Sequence, residues 1–189
     1  MKRFAESMVE WLNKRGVLDI GQREVYVYGA DLALYTLIST AGLLLVGALF
    51  CRFWETVLIV ILYYTNQTIG GGYHATTHGR CFLTMLVFLV AALLTYYLPI
   101  THWIEYLAFG ISVLVLECIP LTLHPNKGYL KSREAAFAKR SRLIAAVESL
   151  IVLALMSADI NAYTRACCLG LLVSAISRGA GIHNSPKVE

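Results

Sequence analysis

Residues 32–50 read LALYTLISTAGLLLVGALF, an apolar run with no charged residue. A helix needs roughly 20 such residues to cross a bilayer. Further runs follow at 53–69, 82–99, 103–123, 143–160 and 164–182. The run at 82–99 is the strongest. Glu55 lies near one end of the second run, Glu105 and Glu117 lie in the fourth, and Glu148 lies in the fifth. Arg178 interrupts the last run and makes it the weakest. Lipid cannot satisfy exposed backbone groups, so each run is expected to be helical. The expectation is an all-α integral membrane protein with about six transmembrane helices. Only 15% of the chain is charged and 58% is hydrophobic; a soluble domain has about 25% charged residues. One polytopic domain over 1–189 is expected, with no large part outside the membrane.

Residues 1–20 carry Lys2, Arg3, Lys14 and Arg15 without the apolar core of a signal peptide. Phe4, Met8, Trp11 and Leu12 recur there at helical spacing. This is the pattern of an amphipathic helix that lies on a membrane surface or packs on a bundle.

Charge sets orientation. With the N-terminus in the cytoplasm and six spans, all but Arg52 and Arg165 of the 16 Lys and Arg fall inside. Both termini are therefore expected in the cytoplasm, with the two long internal loops, 70–81 and 124–142, facing inward. The basic residues do not form the aromatic-interleaved stripe of a nucleic-acid binder, and no nucleic-acid partner is expected. The five cysteines, Cys51, Cys81, Cys118, Cys167 and Cys168, lack CxxC spacing and imply neither a disulfide framework nor a zinc ribbon.

Chemistry concentrates in residues 70–81, GGGYHATTHGRC. Glycine permits backbone angles that other residues avoid, so the run should break the second span and turn tightly. Cys81 stands where the third span begins, beside Arg80; a helix N-terminus and a guanidinium both favour negative charge there. A thiolate is the reactive form of cysteine, and a nearby imidazole can take its proton and return it to a leaving group. On a continuous helix His74 and Cys81 are about 10 Å apart in rise. A dyad of these two requires the segment to fold back, whereas His78 could reach Cys81 along a helix. A metal site of His74, His78 and Cys81 is a rival, although Ala75 stands where a zincin has its glutamate. A structural loop with interfacial histidines, or a non-enzymatic transporter or scaffold, is a further alternative. A transporter would place its polar groups near mid-bilayer, whereas here they cluster at the inner interface.

GGYHA followed by a cysteine seven residues after the histidine resembles the AgrB family, the accessory gene regulator B membrane endopeptidases of peptide quorum sensing. Size, span number and orientation fit, as does the HPNKG run at 124–128 before a basic stretch. The resemblance implies a catalytic dyad of His74 and Cys81, with Gly72 on the family's glycine. It also implies an AgrD-like precursor peptide as substrate. Its acidic tail would be cleaved through a Cys81 thioester, which an internal thiol or hydroxyl then opens to a thiolactone or lactone. A homodimer in contact with membrane lipids is implied as well. No cofactor and no metal are called for. The family often has arginine six or seven residues before the histidine; here Gln67 and Thr68 stand there.

Gly72, Lys127 and Arg133 are candidate substrate contacts, although positive-inside topology alone accounts for a basic loop. Glu117 and Glu148 are carboxylates within apolar runs, able to orient an imidazole or to pair with an arginine. Asn66 and Gln67 could donate to an oxyanion or join helices.

Overall fold

The computed structural model describes residues 2–16, 22–73, 75, 77–120, 134–158 and 161–184, with only the backbone of Lys2, Glu134, Asn161, His183 and Asn184. Seven α-helices and no β-strand occur among them: α1 (Lys2–Lys14), α2 (Arg23–Leu49), α3 (Phe53–Gly70), α4 (His78–Leu94), α5 (His102–Cys118), α6 (Glu134–Ser157) and α7 (Asn161–Asn184). A 3-10 turn at Thr95–Tyr97 extends α4.

The helices follow the apolar runs, with shifted ends. α5 stops at Cys118 rather than 123, because Pro120 disfavours helical geometry in the residue before it. Ile119 is accordingly extended, at φ −77° and ψ 127°. α6 starts at Glu134 rather than 143, so Lys139, Arg140 and Arg142 lie on a helix instead of in the expected loop. By length and composition, three helical segments among the described residues are able to cross a membrane: Arg23–Leu49, His78–Tyr97 and Ala162–Ile182. α5 has only 17 residues. α6 carries Lys139, Arg140, Arg142 and Glu148, and α3 carries Glu55, Asn66 and Gln67.

The chain divides into two compact units, residues 1–45 and 46–189. In the first, Ala5 and Val9 of α1 pack on Val27 and Ala30 of α2, joined by Met8, Tyr26 and Leu34. Glu10 pairs with Arg23 at 3.0 Å. Phe4 and Trp11 stay exposed on α1. The helix therefore has two apolar faces: a small-residue face turned to α2 and an exposed aromatic one, with the Arg15 guanidinium 4.0 Å over the Trp11 ring.

In the second unit α7 is the central helix. Its candidate span is 61% buried, against 17% and 22% for the other two. Cys167, Cys168, Leu171 and Ala175 of α7 pack with Phe109 and Leu116 of α5 and with Ala145 and Val152 of α6. Gly170 lets α3 approach α7: a Cβ there would stand 3.2 Å from the Ile59 backbone. Hydropathy ranks this helix the weakest span, yet it is the one the others gather around. α4 leaves Leu83, Val87 and Leu94 exposed. An outward apolar face of this kind is stable against acyl chains, not water.

Charges inside the unit are compensated. Arg52 bonds Glu55 at 2.9 Å, Arg165 bonds Glu105, and both guanidinium groups lie over the Tyr96 ring, at 4.7 and 5.4 Å. These are the two arginines that the charge count leaves outside. Arg178, which that count places in the cytoplasm, is only 1% exposed. It donates to the Leu116 carbonyl of α5 at 2.6 Å and to Ser141 Oγ of α6 at 2.8 Å. It also lies against Gly70 of α3, where a Cβ would collide with its Nη2. Removing one partner of a buried charge network costs about 3–5 kcal/mol. Arg178→Leu is therefore expected to lower the unfolding midpoint in detergent by roughly 10 °C. Exposed Arg140→Leu, measured by the same thermal scan, should leave it nearly unchanged.

Candidate active site

Between α3 and α4 the chain makes the turn expected of its glycines, but each glycine serves differently. Gly71 alone takes a left-handed angle, φ 69°. Gly70 is needed for the approach of Arg178. Gly72 is needed for close packing: a Cβ would collide with Gln67 Oε1 and meet Ser177 Oγ at 2.7 Å. A side chain at 70 would displace the Arg178 and Ser141 side chains, and one at 72 those of Gln67 and Ser177.

Tyr73 follows, held on both backbone groups. Its N–H donates to the Ser177 carbonyl at 2.8 Å and to Ser177 Oγ at 3.2 Å. Its carbonyl accepts from Gln67 Nε2 at 3.0 Å, and the Ser177 hydroxyl donates to Gln67 Oε1 at 3.0 Å. A residue between two helices has no helical ladder of its own, so Ser177 and the Gln67 side chain supply its partners. Of the two polar residues at the end of α3, Asn66 fits the role of joining helices, donating to Glu148 of α6 at 2.5 Å. Gln67 instead spans the turn and α7.

α4 then begins at His78. Thr77 caps it in extended conformation, its hydroxyl accepting from the Arg80 N–H at 3.4 Å. The Cys81 N–H closes the first turn onto the Thr77 carbonyl at 3.1 Å. Cys81 thus lies in the first turn of α4, where the peptide dipoles favour negative charge. It is half-buried and lines a cavity of about 210 Å³ with Tyr63, Tyr73, Thr84, Phe88, Ser177 and Ala180. Three helices and the glycine turn build its walls. The lining is aromatic with a few hydroxyls, the character of a site that takes an apolar group beside a reactive atom.

Of the candidates named from sequence, Cys81 and Gly72 fall in this region, at the cavity and in the turn. His74, Lys127 and Arg133 lie outside the described residues. His78 is exposed and is absent from the cavity lining. Among the described residues no three His, Cys, Asp or Glu side chains are grouped to hold a metal ion; His74 of the rival triad is not among them. Glu148 is tied to Asn66, and Glu117 Oε1 is buried with no hydrogen-bond partner among the described residues. Glu117 and Glu148 both act electrostatically on Arg178.

Sequence reasoning does not single out Ser177 or Ser141. A serine inside an apolar helix gives no signal of what it faces. Arg178 is visible as an interruption, but its partners are remote in sequence.

The geometry predicts opposite outcomes for two nearby glycines. Gly72→Ala should destabilise, because Gln67 and Ser177 must move. Gly79 lies in the first turn of α4, and no atom of the described residues lies within 4 Å of the place a Cβ would take. Gly79→Ala should therefore stabilise by about 0.5–1 kcal/mol through helix propensity. Thermal midpoints of the two variants in one detergent decide this.

The sequence model of the family described as accessory gene regulator B matches residues 5–178. No curated protein and no solved structure matches the chain.

Proposed function

The chain belongs to the accessory gene regulator B family, and from that membership we propose that it is a membrane cysteine endopeptidase that matures a peptide signal. The family's place in quorum-sensing peptide processing and its AgrD-like precursor partner come with that membership. The three apolar helical segments fit a membrane protein. The cysteine mechanism, the six spans with both termini in the cytoplasm, the single domain and the homodimer are our reading.

One observation carries the mechanism. Cys81 opens α4 on a cavity that Tyr73, the residue preceding His74, also lines. In this reading His74 takes the thiol proton and the Cys81 sulfur attacks the scissile carbonyl of the precursor. The peptide bond breaks, and His74 returns the proton to the departing amine of the tail. The remaining peptide is held as a thioester on Cys81. A thiol or hydroxyl of that peptide then attacks the thioester carbonyl, and Cys81 leaves with a proton from the new nucleophile. The acyl energy passes into the ring, so water must be kept from the thioester. A partly enclosed, aromatic cavity at a membrane face serves that need.

Gly72 lets the turn pass close to Gln67 and Ser177, and in this reading the precursor peptide lies along the turn there. Lys127 and Arg133 draw the acidic tail by charge.

Cys81→Ser and His74→Ala should each abolish precursor cleavage, with membrane insertion intact, in proteoliposomes containing an AgrD-like peptide. Loss of a general base or nucleophile costs about 10²–10⁴-fold or more. Cleavage at near-parent rate in Cys81→Ser would remove the thiol mechanism. His78→Ala should retain cleavage; inactivity of this variant alone would shift the dyad to His78.

A further inference from the structure

We infer that Gln67 and Ser177 are positioning residues of the catalytic centre. Together they fix the backbone at Tyr73, which lines the cavity beside Cys81 and precedes His74 in the sequence. The inference rests on the Cys81–His74 reading and deepens it.

The arrangement is a closed ring of hydrogen bonds. The Gln67 amide donates to the Tyr73 carbonyl, the Ser177 hydroxyl donates to the Gln67 amide oxygen, and the Tyr73 N–H donates to Ser177. Gln67 uses its donor and its acceptor at once. A carboxylate has no donor and a guanidinium has no acceptor, so neither can complete the ring. The peptide unit that links Tyr73 to His74 begins with the carbonyl that Gln67 holds. Ser177 is also part of the wall around Cys81. Tyr73 and Cys81 are thereby referred to one place on α7: Tyr73 by hydrogen bonds, and Cys81 through the shared cavity.

The ring is built at a cost. It requires glycine at 72, where any Cβ would collide with Gln67 and Ser177. It holds a half-buried amide of α3 and a buried hydroxyl of α7 where apolar residues could serve in a helix interface; Ser177 is 2% exposed. A plain interface would not need an amide that bridges to a loop carbonyl. A site whose nucleophile and base come from different elements does, because reacting groups misplaced by about 1 Å can lose about 10² in rate.

The experiment uses the full chain in proteoliposomes with an AgrD-like precursor peptide that the parent cleaves. Gln67→Glu keeps the shape and removes the donor to Tyr73. Ser177→Ala removes the hydroxyl and leaves the backbone carbonyl that still accepts the Tyr73 N–H. Expected for Gln67→Glu is a fall in kcat of about 10- to 100-fold with KM within about two-fold. Ser177→Ala should show a smaller fall in kcat with the same split. A second readout needs no substrate: iodoacetamide alkylation of Cys81, resolved by peptide mass spectrometry, should slow in Gln67→Glu at neutral pH, because the base is displaced from the thiol. Cys51 and Cys118, both exposed, serve as internal controls whose rates should not move.

Parent-like kcat in both variants, with Cys81→Ser inactive, overturns the positioning role and leaves the proposed function standing. A change confined to KM, or alkylation that slows equally at Cys51 and Cys118, overturns it as well. An active Cys81→Ser variant instead defeats the proposed function itself. If Gln67→Glu is recovered unfolded, Ser177→Ala decides by the same criteria.

Discussion

A cation among apolar helices must find its own compensating dipoles and charges, and Arg178 does so by touching α3, α5 and α6 around α7. Its guanidinium reaches the Leu116 carbonyl in the last turn of α5, Ser141 of α6 and the end of α3 at Gly70. The final carbonyls of a helix lack intrahelical donors and carry partial negative charge. Placing a guanidinium there answers two deficits at once: orphan acceptors gain a donor, and the buried charge gains a field of opposite sign. Glu117 and Glu148 add to that field. Without it, an arginine held at 1% exposure would not persist in this position.

The turn inherits its shape from that contact. Arg178 lies against Gly70, and its neighbour Ser177 lies against Gly72 and Tyr73. Two consecutive residues of α7 therefore template the glycine run. Only Gly71 of the run uses the freedom of a left-handed angle; at 70 and 72 the side chains of Arg178, Ser141, Gln67 and Ser177 fill the space a Cβ would take. The same template presents Ser177 to the cavity that Cys81 lines. A structural constraint deep in the bundle and the wall of the candidate site are thus one residue apart.

At the start of α3, α5 and α7 the polar chemistry is different in kind. Arg52, Glu55, Glu105 and Arg165 pair among themselves around Tyr96. These groups close on each other and leave little to recruit a ligand. The Cys81 region, by contrast, joins hydroxyls and aromatic rings around open space. This contrast favours the glycine-turn end of the bundle as the place of the proposed chemistry.

The sequence by itself determined that the chain is helical and suited to a membrane. Length and hydropathy of the apolar runs leave the backbone no other way to satisfy its hydrogen bonds there. It also determined the family, through the spacing of glycine, histidine and cysteine, because that pattern is local. Helix ends were less legible. Pro120 marked one stop, but the basic stretch that reads as a loop continues as the first turns of α6. Tertiary structure alone decided the rest: that the least apolar span is the central helix, that Gln67 bonds a loop carbonyl instead of a neighbouring helix, and that Ser177 belongs beside Cys81. Those facts depend on contacts between residues about a hundred positions apart, such as Gln67 with Ser177. A helical period says which side a residue takes. Which helix meets that side depends on packing, where one glycine more or less sets how closely two backbones approach.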